Sequence, residues 1–332
     1  MHVLTKVRDI PEDLKGAVIA LGNFDGVHRG HQEVLHHSRS IAGRTNATAG
    51  ALTFAPHPRV FFNPDKPLFC LTPLERKLAL LAAAQLDFVH VLTFNAELAG
   101  MSAEEFAHQI IVRAWQASHV IIGYNFFFGK DRGGSPQILQ QLGDKYGFEV
   151  SVIGPASDDG EIFSSSLVRE LLRAGNVREA ASILGHWWTV SAVVEPGAGR
   201  GAGMGYPTIN IMLEPGQDLY HGIYAARVWV NGQRFDGAAY NGRRPTFDNG
   251  IAKLEIFLFD FNDMLYGHKI DVELIDFIRS DRAFNSPDDL VAQMGKDCAR
   301  ARDILAEVNS ADPMLRFPIA QAISKSITTA RD

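Results

Sequence analysis

The first half of the chain alternates short apolar runs with longer amphipathic stretches. The runs are rich in β-branched residues, and the stretches between them repeat apolar residues at spacings of three and four. This alternation is typical of βαβ units and a parallel sheet. It predicts strands at Ala17–Leu21, Ala49–Phe54, Phe88–Phe94, His119–Ile122 and Phe148–Ile153. It predicts helices at Gln32–Gly43, Leu74–Gln85 and Ala103–Gln116.

After Leu184 the pattern changes to strand-like runs separated by glycine-rich or polar turns. These runs cover residues 187–194, 224–230, 237–240, 253–261 and 269–278, with no long helical stretch among them. They predict an antiparallel sheet or barrel. The segment from Ser286 then opens with a Ser-Pro helix signal and continues with apolar residues on one face, which predicts a closing helix.

The expected fold class is therefore α/β plus β. A Rossmann-like parallel-sheet domain is expected over residues 1–183, an antiparallel β-barrel with a closing C-terminal helix over 184–310, and a C-terminal tail over 311–332. The boundary is placed near Asn176–Trp187, where the first pattern ends. The final SKSITTARD is expected to be a loose tail.

Composition narrows the class of protein. The chain has 332 residues, 46 % of them hydrophobic, which is enough for two cores. A formal net charge of −6 does not favour a broad nucleic-acid surface, and Cys70 and Cys298 are too few for a disulfide framework or a Cys-rich zinc site. We expect no signal peptide, no membrane span and no nucleic-acid partner, and therefore a cytoplasmic protein.

A candidate anion site follows the first predicted strand. The string GNFDGVHRGHQEVL has a glycine at Gly22, where the strand ends, and places His28 and His31 three apart at a helix start. Helix N-terminal N–H groups and imidazole donors suit a nucleotide triphosphate. A metal site or two surface histidines is the alternative, because His36 and His37 follow closely.

The string GNFDGVHRGH resembles the GxFDGxHxGH signature of the HxGH nucleotidyltransferase superfamily. FAPHPRVFF, VIIGYNFFFGKDRGG and SSSLVRELLRAG follow in the order of that superfamily, after predicted strands two, four and five. The resemblance implies an adenylyl or cytidylyl transferase in which His28 and His31 are catalytic. The nucleotide-binding residues it implies are Gly22, Phe24, Asp25, His28, His31, Ser164, Ser165, Ser166 and Arg169. The serine run is also a helix N-cap signal.

The aromatic segment YNFFFG is interpreted through the same resemblance. It implies that Asn125 contacts a flavin, although many relatives have aspartate there and a basic residue in place of Phe127. The run Phe126–Phe128 is typical of either core or a stacking surface.

A second candidate site lies in EPGAGRGAGMGYPTINI. Its glycines permit a loop that wraps phosphate, and Thr208 and Asn210 are two apart on an extended segment, so their oxygens share one face. That arrangement suits a hard cation such as Mg²⁺. A flexible turn followed by an ordinary strand is the alternative.

The second half resembles the riboflavin kinase module, whose GxxxGxPTAN motif is present as GAGMGYPTIN, and further matches run through residues 186–307. The resemblance implies nucleotide binding by Gly203 and Gly205, and metal binding by Thr208 and Asn210. It also implies flavin binding by Arg279 and a general base at Glu255. The residues next to Glu255 in its strand are apolar, so we expect a buried carboxylate. A solvent-facing strand residue is the alternative.

This half departs from the family pattern at three noted positions. Ala202 stands where a basic residue is common, AYNG around Tyr240 replaces ANIG, and Asp281 replaces a glutamate. Through the resemblance, these changes concern the ADP-facing loop and the flavin-facing edge, and they leave the predicted magnesium ligands and general base in place.

Together the halves resemble the prokaryotic bifunctional riboflavin kinase/FAD synthetases. The resemblance implies phosphorylation of riboflavin to FMN by ATP, then adenylylation of FMN to FAD with release of pyrophosphate. Mg²⁺ would serve both reactions, and FMN or FAD could pass to flavoproteins. The alternatives are an HxGH adenylyltransferase for another phosphorylated acceptor, such as phosphopantetheine, and a noncatalytic flavin-binding carrier.

Overall fold

The computed structural model describes residues 1–158, 160–197, 202–243 and 252–329. Contacts divide the chain into two compact units. Unit 1 contains residues 1–68 and 72–164, and unit 2 contains residues 69–71 and 165–332. The expected functional boundary at 183/184 stays a prediction, because the compact units divide at a different place.

Unit 1 is built on a parallel sheet. Its strands are β1 (His2–Leu4), β2 (Val18–Leu21), β3 (Ala49–Ala55), β4 (Phe88–Thr93), β5 (His119–Gly123) and β6 (Glu149–Ile153), in the spatial order β1-β4-β3-β2-β5-β6. A short antiparallel pair consists of β7 (Ser157–Asp158) and β8 (Glu161–Ile162). The helices are α1 (Arg29–Thr45), α2 (Pro58–Phe62), α3 (Leu74–Ala83), α4 (Ala96–Gly100), α5 (Ala103–Phe106) and α6 (Pro136–Tyr146).

The central strand explains where a ligand can bind in unit 1. All four residues of β2 are buried, as expected for a strand covered on both faces. The chain order reverses around β2, with β3 on one side and β5 on the other. Ligands of open α/β sheets bind beyond the carboxyl ends of the strands at such a switch point. The loops after β2 and β5 are therefore the candidate site.

The expected strands of unit 1 are confirmed, but one expected helix is irregular. After α5, residues Ala107–Ala114 form a π-helix, and Trp115 N–H donates to the Ile110 carbonyl. Trp115 is buried, stacks on Phe88 and donates its indole N–H to Nδ1 of His90. The wider turn of the π-helix thus directly precedes the large buried side chain of Trp115. The spacing of apolar residues in the sequence does not distinguish this π-helix from an α-helix.

Unit 2 is an antiparallel sheet with helices. Its strands are β9 (Thr189–Val193), β10 (Thr208–Met212), β11 (Gly222–Val230), β12 (Gln233–Arg243), β13 (Ala252–Leu258) and β14 (Lys269–Ser280), in the order β10-β13-β12-β11-β14-β9. A bridge between Glu195 and Asn210 joins the two edges, so the sheet curls toward closure. Its helices are α7 (Ser165–Arg173), α8 (Val177–Leu184), α9 (Pro287–Ser310) and α10 (Pro318–Thr329). The expected antiparallel architecture and closing helix are confirmed.

Residues 324–329, part of the segment SKSITTARD that was expected to be a loose tail, are helical, and residues 330–332 lie outside the described residues. Helix α10 continues to Thr329, and Met314, Ile319 and Ala320 are buried. Asp312 accepts hydrogen bonds from Nη1 of buried Arg227 at 2.7 Å and from Nε1 of Trp187 at 3.1 Å. This buried polar cluster ties the segment after α9 to the sheet, a long-range contact that local composition could not predict.

No helix in the described part of the chain is long and apolar enough to cross a membrane.

Candidate active sites

The loop after β2 has an unusual backbone. Phe24 and Val27 have φ values of 50° and 42°, although both carry side chains and both are buried. Such conformations cost free energy, more so for a β-branched residue, and they cluster at functional sites. Asp25 holds the loop from inside, because its Oδ1 accepts from the backbone N–H of Thr72 at 3.1 Å. Asp25 is thus placed as a support of the loop.

The loop delivers two histidines to the start of α1. His28 is the N-cap, and its Nδ1 accepts from the backbone N–H of His31. The two imidazoles stack with ring centroids 3.7 Å apart and planes 24° apart. A Cβ at Gly30 would lie 3.1 Å from the His28 ring, so a glycine there leaves that ring its space. With Nδ1 accepting, the N–H of a neutral His28 is on Nε2.

The surroundings of His31 keep it neutral. Burial, the neighbouring His28 and Lys77 together hold the pKa of His31 well below its usual range. Nδ1 of His31 and Oδ1 of Asn23 are buried and have no hydrogen-bond partner within the described residues. Two unsatisfied polar atoms at the strand-helix loop indicate a place where a polar ligand binds.

Lys77 contacts the histidine loop and was missed by sequence reasoning. It is 5 % exposed, lies on α3, and donates from Nζ to the carbonyl of Asn23 at 2.8 Å. A lysine that is almost fully buried needs a partner. Lys77 and Asn23 are far apart in sequence, so only the fold shows their contact. The one sequence signal was a lysine next to the apolar residues of KLALL, which weakly indicates a buried lysine.

A cavity of about 530 Å³ opens beside the first turns of α1. Phe163 lines it, and the guanidinium of Arg29 lies 4.2 Å from the centroid of the Phe163 ring. The carbonyl of Phe163 also lies close to Gly30, so the segment that leads into the serine run touches the helix start. The remaining lining residues are Glu33, His37, Val152, Ile153, Gly154, Pro155, Ala156 and Ser157.

The predicted serine and arginine residues are divided between the units. Ser164 ends unit 1, whereas Ser165, Ser166 and Arg169 are on α7 of unit 2. Arg169 is 6 % exposed, and its Nε donates to the carbonyl of Phe69 at 2.6 Å. Their role in binding the nucleotide stays a prediction.

The loop after β5 carries Asn125 on the surface. The Asn125 side chain folds back toward Gly123. Of the aromatic run, Phe128 is buried in the core, whereas Phe127 is 44 % exposed and lies under Arg132. The run therefore serves both as core and as surface.

A second aromatic surface lies at the same edge of the sheet and was not singled out from the sequence. Phe54, Phe61 and Phe62 each pack against Phe94, with centroids 5.3 to 5.9 Å apart, and Phe62 is 61 % exposed. In the sequence, the two adjacent phenylalanines of FAPHPRVFF were the signal that could have indicated this aromatic surface.

Three of the predicted kinase residues of unit 2, Asn210, Glu255 and Arg279, share one row across the sheet. Asn210 pairs with Glu255, Glu255 with Tyr240, Tyr240 with Ile223, and Ile223 with Arg279. Directly paired residues of antiparallel strands project from the same face. Five positions on five strands therefore present their side chains side by side.

Glu255 is half-buried, which corrects the expectation of a buried carboxylate. Leu254 and Ile256 on either side point into the core, and strand alternation turns Glu255 to the other face. The exposure of Glu255 is therefore closer to the alternative, a strand residue that faces solvent.

The polar segment before β10 is partly described. Nδ2 of Asn210 donates to the carbonyl of Thr208 at 3.3 Å, and a Cβ at Gly197 would lie 2.2 Å from Nδ2 of Asn210. A side chain at position 197 would therefore displace Asn210. Gly203 and Gly205 are exposed, and Gly205 has a φ of 83°. Gly199 and Gly201, which belong to the same predicted loop, lie outside the described residues.

Arg279 has a fixed orientation at the far end of the row. Its Nε and Nη2 donate to the carboxylate of Asp297 on α9, at 2.9 and 2.6 Å, and Gln293 donates to the same carboxylate. A two-point ion pair of this kind holds the guanidinium plane in one position. Asp297, 4 % exposed, is a further residue that sequence reasoning missed.

Comparison with known proteins bears on both units. A family model described as FAD synthetase matches residues 10–167, and one described as riboflavin kinase matches residues 184–305. The bifunctional riboflavin kinase/FMN adenylyltransferase of Escherichia coli (strain K12) is 34 % identical over 87 % of this chain and 93 % of its own length. The protein of that name from Bacillus subtilis is 33 % identical over 90 % and 95 %.

The chain belongs to the bifunctional riboflavin kinase/FMN adenylyltransferase family. The family resemblance expected from the sequence is thereby confirmed. A crystal structure of a protein named as a macrolide-efflux protein from Streptococcus pneumoniae has the same fold, with a TM-score of 0.79, 28 % identity, and coverage of 89 % of this chain and 96 % of that one.

The oxygen donors near Asn210 bear on whether unit 2 can hold Mg²⁺. No group of three or more His, Cys, Asp or Glu side chains in the described ranges could hold a metal ion by itself. Thr208 and Asn210 instead offer neutral oxygens, and the Glu255 carboxylate is directly across the strand pair from Asn210. Mg²⁺ favours few protein oxygens together with phosphate oxygens of a substrate. The donor set therefore fits an ion that binds together with ATP.

Proposed function

We propose that the chain makes FAD from riboflavin in two steps. Unit 2 transfers the γ-phosphoryl group of ATP to riboflavin and forms FMN and ADP, and unit 1 transfers the adenylyl group of a second ATP to FMN and releases pyrophosphate. Family membership supports both activities. The observation that carries the assignment of residues is the transverse row, because it aligns Asn210, Glu255 and Arg279 on one face of the sheet.

In the kinase reaction Glu255 is the general base. A carboxylate on the site face takes the proton of the ribityl 5′-hydroxyl as its oxygen attacks the γ-phosphorus. Thr208 and Asn210 hold Mg²⁺ through their side-chain oxygens, and the ion neutralises phosphate charge when bound. Gly203 and Gly205 give the backbone freedom to follow the ATP phosphates. Arg279, fixed by Asp297, contacts the flavin.

In the adenylyl transfer, His28 and His31 donate hydrogen bonds to phosphate oxygens. The charge of His31 is low because its pKa is depressed, so His31 stabilises developing negative charge as a dipole. The N-terminus of α1 adds backbone N–H groups. The cavity lined by Arg29 and Phe163 accepts the adenosine portion of ATP. Ser164, Ser165, Ser166 and Arg169 bind the triphosphate, and Asn125 contacts the FMN ring.

We also propose a cytoplasmic location, where ATP for both reactions is available, and release of FMN or FAD to flavoproteins as the fate of the products.

The test is incubation of the purified chain with riboflavin, ATP and a series of Mg²⁺ concentrations, with the flavins separated by chromatography. FMN should form first and FAD after it, and both should disappear when Mg²⁺ is removed by EDTA and return when Mg²⁺ is restored. FAD formation from supplied FMN without any FMN formation from riboflavin would contradict the kinase assignment.

A further inference from the structure

Tyr240 is the central member of the row and has no role in the function proposed above. It lies between Glu255 on one neighbouring strand and Ile223 on the other. Its side chain is half-buried and projects from the same face as the carboxylate. The position is therefore inside the kinase site, between the proposed base and the proposed flavin contact.

The phenol of Tyr240 is held at one end. Its hydroxyl donates to Oδ2 of Asp281 at 2.9 Å, and Oδ1 of Asp281 accepts from the backbone N–H of Arg282 at 2.8 Å. Both carboxylate oxygens of Asp281 are thus engaged. Asp281 directly follows β14, so the hydrogen bond connects β12 to the end of β14 across the intervening β11.

The Tyr240 ring occupies the space above Gly242, where a side chain would clash with it. A Cβ at Gly242 would lie 2.1 Å from the hydroxyl oxygen of Tyr240. The ring therefore extends along β12 over Gly242. The two departures noted in the sequence, at Tyr240 and Asp281, are partners in one hydrogen bond, which indicates that they act together.

The length of riboflavin matches this arrangement. Glu255 and Arg279 are three strand spacings apart, a span of about 14 Å. The five-carbon ribityl chain alone is shorter than this span. With the 5′-hydroxyl at Glu255 and the ring system extending toward Arg279, the intervening part of the molecule must cross Tyr240.

We propose that Tyr240 is a specificity-determining residue of the kinase site, whose ring packs against riboflavin where the ribityl chain joins the isoalloxazine, and that Asp281 holds the ring in that position. This proposal rests on the proposed function. An aromatic side chain with its hydroxyl tethered offers a flat surface at low entropic cost. Asp281 acts through Tyr240 and is a positioning residue.

The test is the steady-state kinetics of the kinase reaction in the full chain for Y240A, Y240F, D281N and the double variant Y240F/D281N. In Y240A the KM for riboflavin should rise about tenfold, with the KM for ATP and the rate of FAD formation from FMN each within about twofold of the parent. Y240F and D281N should each raise the KM for riboflavin about threefold. The double variant should raise it no further, because both single changes remove the same hydrogen bond between Tyr240 and Asp281.

Tyr266→Phe is the matched control, since Tyr266 is in the same unit and 49 % exposed. It should leave both KM values unchanged. An unchanged KM for riboflavin in folded Y240A, or in Y240F where Y240A does not fold, would overturn the proposal, as would an equal rise in the KM for ATP. E255Q is measured beside these variants. Normal kinase turnover in E255Q would contradict the proposed function. If E255Q turnover is impaired but the Tyr240 variants keep the parent KM for riboflavin, only the inference about Tyr240 is contradicted.

Discussion

The two candidate sites gather their residues in different ways. In unit 1 a single loop and helix start bring Gly22, Phe24, Asp25, His28 and His31 together within ten residues of sequence. In unit 2 the row from Asn210 to Arg279 draws one residue from each of five strands. The first site depends on local backbone conformation and the second on strand register.

This difference determines how each site can be damaged. In unit 1 the positive φ angles of Phe24 and Val27 fix the loop, so its geometry is sensitive to nearby backbone changes. In unit 2 a shift of one residue between two strands would turn a site residue to the other face. Substitutions at the two sites should therefore affect different reactions.

Removal of both histidines should give the largest effect. We expect H28A/H31A to lower adenylyl transfer by roughly 10⁴-fold, about a hundredfold for each lost donor. Riboflavin phosphorylation should continue, so FMN should accumulate and FAD should be nearly absent on chromatography. His36→Ala, on the exposed side of the same helix, is the control and should behave as the parent. FAD formation at the parent rate would contradict the assignment of this loop.

The reciprocal change is Glu255→Gln. It keeps the size of the side chain and removes the proton acceptor, so the rate of FMN formation should fall by roughly 10²- to 10⁴-fold. FAD formation from supplied FMN should persist. Asp263→Asn removes an exposed carboxylate of the same unit and should change neither rate. Unimpaired phosphorylation by E255Q would mean that the carboxylate has a structural role.

The next prediction concerns the stability of unit 2. Asp312→Ala should lower its free energy of unfolding by roughly 3 kcal/mol, because Arg227 is left buried without its nearest carboxylate. Chemical denaturation followed by tryptophan fluorescence measures this, since Trp187 contacts Asp312. Asp260→Asn breaks the exposed pair with Arg302 and should have little effect. Equal stability losses in both variants would show that burial of the Arg227 pair is unimportant.

The smallest expected effect concerns acid stability of unit 1. Burial lowers the pKa of His90 to about 4. The unfolded chain therefore binds a proton before the folded one as pH falls below about 6.5, and stability is lost progressively from there to about pH 4, by at most roughly 3 kcal/mol. In H90Q, which keeps an acceptor for the Trp115 N–H, this pH dependence of the unfolding free energy should be reduced. An identical pH profile in parent and variant would contradict the assignment to His90.

The sequence predicts the architecture well, because both strand patterns and the closing helix depend on local periodicity. The histidine loop is also predictable, since its residues are contiguous. Lys77 and Asp297 were missed because their roles depend on contacts with distant segments. The burial of Glu255 was misjudged because apolar neighbours do not reveal which face of a strand a residue occupies. The helical conformation of residues 324–329 was missed because this polar stretch has no apolar periodicity that indicates a helix.

The three residues 69–71 have a consequence for synthesis of the chain. Carbonyls of Phe69, Cys70 and Leu71 accept hydrogen bonds from Arg169, Gln217 and Trp188. At a synthesis rate of roughly 5 to 20 residues per second, their last partner, Gln217, emerges about 7 to 30 s after they do. During that interval these three residues of unit 2 have been synthesised without their partners. We therefore expect this apolar segment to stay without its native hydrogen-bond partners until the later strands have been synthesised.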